Sequence, residues 1–263
     1  MNILDFAKMK KNNQKISMVT CYDFWSAKII SQSNIDCILV GDSTAMVSHG
    51  HKSTLPATVE MMASHISAVA KGADNKFIVG DMPFCSYSKG LEQTMFAAER
   101  IMQAGSHAIK LEGAVDPKLI THIVNAGIPV MGHLGLTPQS MHVLGGFKVQ
   151  GKDVSDAQKI REEAKTLQDA GCFAIVLECI PHRVAKEITD CLMIPTIGIG
   201  AGPCTSGQVL VLQDLLGCQT FKPKFLKTYM DGFNMIKNAL NQYDNEVKDL
   251  VFPNLDEHCY ETQ

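Results

Sequence analysis

The chain has 263 residues, 46% of them apolar and 19% charged, with a formal net charge of −3. That composition supports a large buried core and lies outside the weakly apolar, highly charged range of disordered chains. The slight acidic balance gives no reason to expect nucleic acid or an anionic membrane surface as a partner, and no apolar run reaches the length of a membrane span.

Residues 1–15 carry Asp5 and several lysines without an apolar core, so they do not read as a secretory signal. Residues 15–23 read as a first strand and 25–32 as the helix after it. The run Asp36-Cys-Ile-Leu-Val-Gly-Asp-Ser43 is short, apolar and bounded by polar residues, as a strand buried on both faces should be. Residues 45–56 form a loop with His49, Gly50 and His51. A helix is expected over 58–70, with Thr58 as its cap and Met61, Met62, Ile66 and Val69 at helical spacing. A third strand covers 76–81, and a helix over 91–104 is closed by Gly105. A fourth strand covers 108–112, followed by a helix over 117–125 with Pro117 in its first turn and Gly127 after its end. The fifth strand covers 129–134. Residues 135–153 are Gly-rich without either period, and a loop of that length is usually functional. A helix over 155–169, a strand over 173–179, a short helix over 182–190 and a strand over 195–200 come next. An eighth strand is expected over 208–212 and a last helix over 224–243, while the tail after Asn245 is weakly patterned. Strand and helix alternate with no linker or composition shift. Seven or eight units at this length predict one domain over 1–263, a (β/α)8 TIM barrel, with an open parallel sheet as the fallback. No GxGxxG turn follows the first strand, which weighs against a dinucleotide site. The nine cysteines form no CxxC pair, and Cys37, Cys172 and Cys179 sit in or beside apolar runs. This usage points to a reduced, cytoplasmic compartment, with neither a disulfide framework nor a zinc site.

Barrel enzymes work at the C-terminal ends of their strands, and polar residues stand there in this chain. Asp42 and Asp81 end the second and third runs, and Lys110 and Glu112 lie on the fourth. A single acid at a strand exit most often caps a loop or helix. Two at equivalent exits, with Glu112 on the next strand, favour a hard cation held by oxygen, Mg2+ rather than Zn2+. Lys110 and Glu112 are two apart and share a face of the strand. If Leu111 packs outward, both face the axis, where Lys110 either pairs with Glu112 or meets an anionic substrate. Glu178 follows five apolar residues; such surroundings raise a carboxyl pKa and suit a general base, the alternative being a backbone hydrogen bond. His133 either orients a substrate or is simply a satisfied polar group. The glycines of Gly198-Ile-Gly-Ala-Gly202 either cradle phosphate or permit a tight turn.

Taken together, Val40-Gly-Asp-Ser43, Gly50-His-Lys-Ser-Thr-Leu-Pro56, Asp81-Met-Pro-Phe84, Lys110-Leu-Glu-Gly113, Gly132-His-Leu-Gly-Leu-Thr-Pro-Gln-Ser140, Gly145-Gly-Phe-Lys-Val-Gln-Gly151, Val176-Leu-Glu-Cys179, Ile197-Gly-Ile-Gly-Ala-Gly202 and Pro223-Lys-Phe225 span almost the whole chain. In these residues, and in their order, the sequence closely resembles the ketopantoate hydroxymethyltransferase family. One departure is Ser206, where the family commonly has an acid. The resemblance implies a (β/α)8 barrel and one Mg2+, with 5,10-methylenetetrahydrofolate as cosubstrate. It implies a keto-acid substrate, 3-methyl-2-oxobutanoate, and 2-dehydropantoate as product, in pantothenate biosynthesis. Carried over position by position, Asp42 and Asp81 would hold the metal, with Glu112 on it or on its bound water. Asp42, Ser43, Asp81 and Lys110 would bind the keto acid. Glu178 would be the base that removes the C3 proton, giving an enolate that Mg2+ stabilises. The family resemblance also implies a homo-oligomer, a homodecamer of two pentameric rings.

Two other readings compete. Another Mg2+-dependent α-keto-acid lyase or mutase barrel would use the same acids, and the lack of a Cys in a polar strand-end motif argues against those that use thiol acid chemistry. A non-catalytic keto-acid or folate-binding barrel would show no turnover.

Overall fold

The computed structural model describes residues 1–219 and 222–260. It divides into two compact units, Met1–Val211 and the residues from Leu212 onward. The division falls where the sequence shows no linker.

The first unit is a (β/α)8 barrel. Its eight strands are β1 (Ile16–Thr20), β2 (Cys37–Val40), β3 (Phe77–Asp81), β4 (Ala108–Glu112), β5 (Val130–Gly135), β6 (Ala174–Glu178), β7 (Thr196–Ile199) and β8 (Gly207–Leu210). Each pairs in parallel with the next, and β8 pairs with β1 to close the ring. The helices of this unit are α1 (Ile3–Lys11), α2 (Phe24–Ser31), α3 (Thr44–Val47), α4 (Val59–Gly72), α5 (Leu91–Gln103), α6 (Pro117–Asn125), α7 (Met141–Leu144), α8 (Val154–Asp169) and α9 (His182–Cys191). Local chemistry sets many of their starts. Thr58 accepts the Met61 N–H at 3.1 Å, Asp153 accepts the Asp156 N–H, and Asp116 precedes Pro117 and accepts the Lys118 N–H. Two stretches read as loops from the sequence are partly helical. Residues 45–56 overlap α3, and residues 135–153 contain a 3-10 turn at Pro138–Ser140 and α7.

The period of two along each strand sorts the side chains. Ile16, Met18, Cys37, Leu39, Phe77, Val79, Ala108, Met131, Ala174, Val176, Ile197 and Val209 fill the barrel interior. The alternate residues Ile38, Ile78, Ile109, Leu111, Ile175 and Leu177 are equally buried on the outer face of the sheet. The same cluster takes in Phe6 and Met9 of α1, which the sequence reading passed over. The signals for this helix were present. Asn2 accepts the Leu4 N–H, Asp5 accepts the Asn2 N–H, and Phe6 and Met9 lie three apart. Phe6 is fully buried, with its ring edge-on to Phe77 at 5.3 Å and to Phe173 at 5.2 Å. The helix closes the N-terminal end of the barrel and leaves the other end for chemistry.

In the second unit α10 (Leu212–Leu215) precedes α11 (Gly232–Lys248) and α12 (Leu255–His258). The last long helix begins eight residues later than expected. The Tyr229 and Gly232 N–H groups bond to the carbonyls of Leu215 and Leu216, so this backbone is committed to a turn against α10. The helix then runs past Asn245, and it leaves Phe233, Ile236, Leu240, Tyr243 and Val247 exposed on one stripe.

Truncating Phe6→Ala should cost about 3–5 kcal/mol of stability, the usual penalty for emptying a buried aromatic site. Urea unfolding measures it, and a loss below 1 kcal/mol would show that α1 does not complete the core.

Candidate active site

The inward positions of the strands turn from apolar to charged near their C-terminal ends. On β4 the sequence Ala108, Lys110, Glu112 faces the axis in turn, as the spacing requires, while Leu111 packs outward. Register sets the heights: Asp81 stands beside Lys110, Glu112 beside His133, and Glu178 beside Gly135. The Lys110 ammonium lies 3.1 Å from Asp81 Oδ1, 3.6 Å from Glu112 Oε1 and 3.2 Å from His133 Nδ1. His133 bridges two acids, with Nδ1 3.3 Å from Glu112 and Nε2 3.2 Å from Glu178. Asp42 sits just past β2, where its own N–H donates to Asp81 Oδ2 at 2.9 Å. Gly41 leaves room for the neighbouring hydroxyl: a Cβ there would stand 2.7 Å from Ser43 Oγ.

Asp42, Asp81, Lys110, Glu112 and His133 are all buried. Burial, with the nearby charges of Glu112 and Asp81, pushes the Asp42 carboxyl well up. Burial also raises Asp81, against the opposing charge of Lys110. Burial would raise Glu112 too, but Lys110 and His133 outweigh it and hold the carboxyl down at about 2. Burial and Lys110 would lower His133, yet Glu112 and Glu178 bring it up to about 9. Burial works against the Lys110 ammonium, and the acids Asp81, Glu112 and Asp42 overcome it and raise its pKa.

The donor set fits a hard divalent cation. Four carboxyls, Asp42, Asp81, Glu112 and Glu178, stand with two cations, Lys110 and His133, and a further cation would relieve the upward push on Asp42 and Asp81. Asp81 Oδ1 is buried against the Lys110 ammonium at 3.1 Å, and Oδ2 accepts the Asp42 N–H at 2.9 Å. Glu112 is likewise engaged on both oxygens. Oε1 faces Lys110 and His133, and Oε2 accepts the Gln139 N–H at 3.0 Å. Among the described residues no three His, Cys, Asp or Glu side chains converge as a metal-ligand group, so Asp42 and Asp81 stand as a pair.

Every residue picked from the sequence lies at this end of the barrel, though their surroundings differ. Ser43 flanks Asp42 and its Oγ is 2.8 Å from Tyr22 Oη. Glu178 is not enclosed by the apolar residues that precede it along β6: its side chain stands at the rim, 18% exposed. A Cβ on Gly135 would stand 2.2 Å from the Glu178 carbonyl oxygen, so the missing side chain lets the end of β5 lie against β6, at a φ of +92° that glycine adopts freely. Gly198 and Gly202 are accounted for by close packing on Thr205 and His182. His133 proves to be the link between the two halves of the cluster. Tyr22, Tyr87 and Gln139 went unassigned: they lie in loops or at a strand exit, and no periodicity marks them. Burial moves the thiols of Cys172 and Cys179 up to about 12, so neither is a thiolate at neutral pH.

A closed parallel barrel with a buried charge cluster at its C-terminal strand ends defines a barrel enzyme. A profile of the ketopantoate hydroxymethyltransferase family matches residues 1–255, and the chain belongs to that family. A relative from Coxiella burnetii (strain CbuK_Q154), named 3-methyl-2-oxobutanoate hydroxymethyltransferase, is 65% identical over 99% of both chains. Relatives of the same name from Bdellovibrio bacteriovorus and Legionella pneumophila (strain Paris) are 60% and 52% identical. The first covers 95% of this chain and 96% of its own, the second 99% and 100%. The fold is shared more widely. A phosphoenolpyruvate phosphomutase from Streptomyces platensis subsp. rosaceus superimposes with a TM-score of 0.62 at 12% identity, over 99% of this chain and 92% of its own. A phosphonopyruvate hydrolase, solved as a complex with oxalate and Mg++, gives 0.62 at 11% identity over 98% and 93%. Likeness at that identity speaks to fold alone, so the lyase or mutase reading gains no support against the transferase name that the near relatives carry.

Because His133 is raised above its unfolded value of about 6.5, the stability it adds is full below that pH and is lost as pH rises through about 9. Urea unfolding between pH 6.5 and 9.5 should show a loss on the order of 3 kcal/mol. In His133→Gln most of that slope should disappear; a variant as pH-dependent as the parent would remove His133 as its source.

Proposed function

We propose that this protein transfers a hydroxymethyl group from 5,10-methylenetetrahydrofolate to 3-methyl-2-oxobutanoate, giving 2-dehydropantoate. The observation that carries this reading is the buried pair Asp42 and Asp81, beside a lysine and below a rim carboxylate. In this reading Asp42 and Asp81 hold Mg2+, and Glu112, held by His133 and the Gln139 N–H, reaches it through a water. Bound there, Mg2+ supplies the positive charge that stabilises an enolate of the keto acid. Lys110 and Ser43 hold the substrate's oxygens, Lys110 by charge and Ser43 through a hydroxyl oriented by Tyr22. Glu178 takes the C3 proton. Its place at the rim gives substrate access, and His133 behind it fixes the carboxylate through Nε2. The resulting carbon nucleophile forms the new C–C bond to the one-carbon unit. The bonds from that carbon to the folate nitrogens break as the nitrogens are reprotonated, water supplies the product's hydroxyl oxygen, and tetrahydrofolate leaves.

Proton removal can be tested apart from carbon–carbon bond formation. Without folate, the wild-type protein with Mg2+ should exchange the C3 proton of 3-methyl-2-oxobutanoate with deuterated solvent. Glu178→Gln should still bind keto acid and metal but slow that exchange by about 10²–10⁴-fold. Exchange at the wild-type rate would pass the role of base to another group. In Asp81→Asn the dependence of exchange on Mg2+ should weaken together with the rate, and an unchanged Mg2+ response would remove Asp81 from the metal.

A further inference from the structure

Gln139 lies in the 3-10 turn that follows β5, is 5% exposed, and touches both Asp42 and Glu112. Its side-chain Nε2 donates to Asp42 Oδ2 at 2.8 Å and to the Met82 carbonyl at 3.0 Å. Its backbone N–H donates to Glu112 Oε2 at 3.0 Å. Its Oε1 accepts the Tyr87 hydroxyl at 2.7 Å, and Tyr87 Oη in turn accepts the Glu112 N–H at 3.3 Å. Both amide hydrogens and the amide oxygen are therefore used. The reversed amide would set Oε1 against the Asp42 carboxyl oxygen and the Met82 carbonyl, so one orientation is favoured.

We propose that Gln139 and Tyr87 are positioning residues for metal binding: Tyr87 locks the Gln139 amide, and the amide turns the Asp42 carboxylate so that one oxygen is held by protein and the other is free for the cation. The inference rests on the reading of Asp42 and Asp81 as metal ligands. The physical basis is the usual one for carboxylate ligands, which are themselves hydrogen-bonded by neighbours that fix their direction. The geometry assigns the Gln139 side chain to Asp42 and its backbone to Glu112, so a side-chain substitution separates the two. It also explains why the segment after β5 folds over the strand ends as an ordered turn.

The test is Mn2+ binding to the protein without substrate, read from the loss of the free-Mn2+ resonance signal, in Gln139→Met, Tyr87→Phe and Asp81→Asn. Gln139→Met keeps the backbone bond to Glu112 and should weaken Mn2+ by about 10–100-fold. Tyr87→Phe removes one hydroxyl and should weaken it by roughly 2–10-fold, the range set by one hydrogen bond. For both, the Mg2+ concentration needed for half-maximal turnover should rise in step, while kcat at saturating Mg2+ returns to within a few-fold of wild type. A general structural defect would instead lower kcat at all Mg2+ concentrations. Should Gln139→Met not fold, Tyr87→Phe alone decides. Wild-type Mn2+ affinity in the Gln139 and Tyr87 variants, with affinity lost in Asp81→Asn, overturns the positioning role alone. Wild-type affinity in all three overturns the metal reading with it.

Discussion

One buried ammonium sets the terms for the whole C-terminal end of the barrel. Taking a lysine out of water is costly unless counter-charges come with it. Lys110 is surrounded by Asp81, Glu112 and, further off, Asp42, and their combined charge keeps it protonated despite burial. The same ammonium then decides the states of its neighbours: it helps pull Glu112 down and it pushes against His133. Acids outnumber cations in the cluster, and burial pushes Asp42 and Asp81 toward their neutral forms, a push that a further cation would offset. A site of this kind stores electrostatic potential that a small cation or an anionic substrate with its cation can discharge.

The barrel makes that arrangement affordable in geometric terms. Eight strands in register place each second side chain on the axis, and the lower layers are filled by aliphatic residues and closed from beneath by Phe6 and Met9. The rigid packing below means that Lys110, Glu112 and His133 extend from strand backbones that have no room to shift. The fold itself is shared with proteins of about a tenth to a seventh sequence identity and other names, and it carries no specificity. What is particular to this chain is the set of side chains at the strand exits and the turn that Gln139 brings over them.

That turn also shows where pattern reading stops. The segment from 135 to 153 has neither a strand nor a helix period, yet it holds a 3-10 turn and α7, and its Gln139 amide reaches Asp42, 97 positions earlier in the chain. A hydrogen bond between a loop amide and a distant carboxylate leaves no periodic trace. The N-terminal helix was overlooked for a different reason: its cap and its apolar spacing are local and visible, but its burial depends on Phe77 and Phe173 meeting it across the barrel floor. The late start of α11 follows from backbone bonds to α10, again a partner outside the segment itself.

The sequence by itself revealed the strand-and-helix alternation and the barrel, and it singled out Asp42, Asp81, Lys110, Glu112 and Glu178 as candidates; the family and Ser43 came through the resemblance of its motifs. The former rest on period and on abrupt apolar-to-acid transitions at strand ends, properties of neighbouring residues. Only the tertiary structure decided which of these acids is enclosed and which stands at the rim. It placed Glu178 in partial solvent against His133, engaged both oxygens of Glu112, and set Asp81 between Lys110 and the Asp42 N–H. The reason is physical: the charge state and free valence of a carboxylate depend on the groups within a few ångströms of it. In a barrel those groups come from different strands and loops, set beside one another by register and closure rather than by sequence proximity.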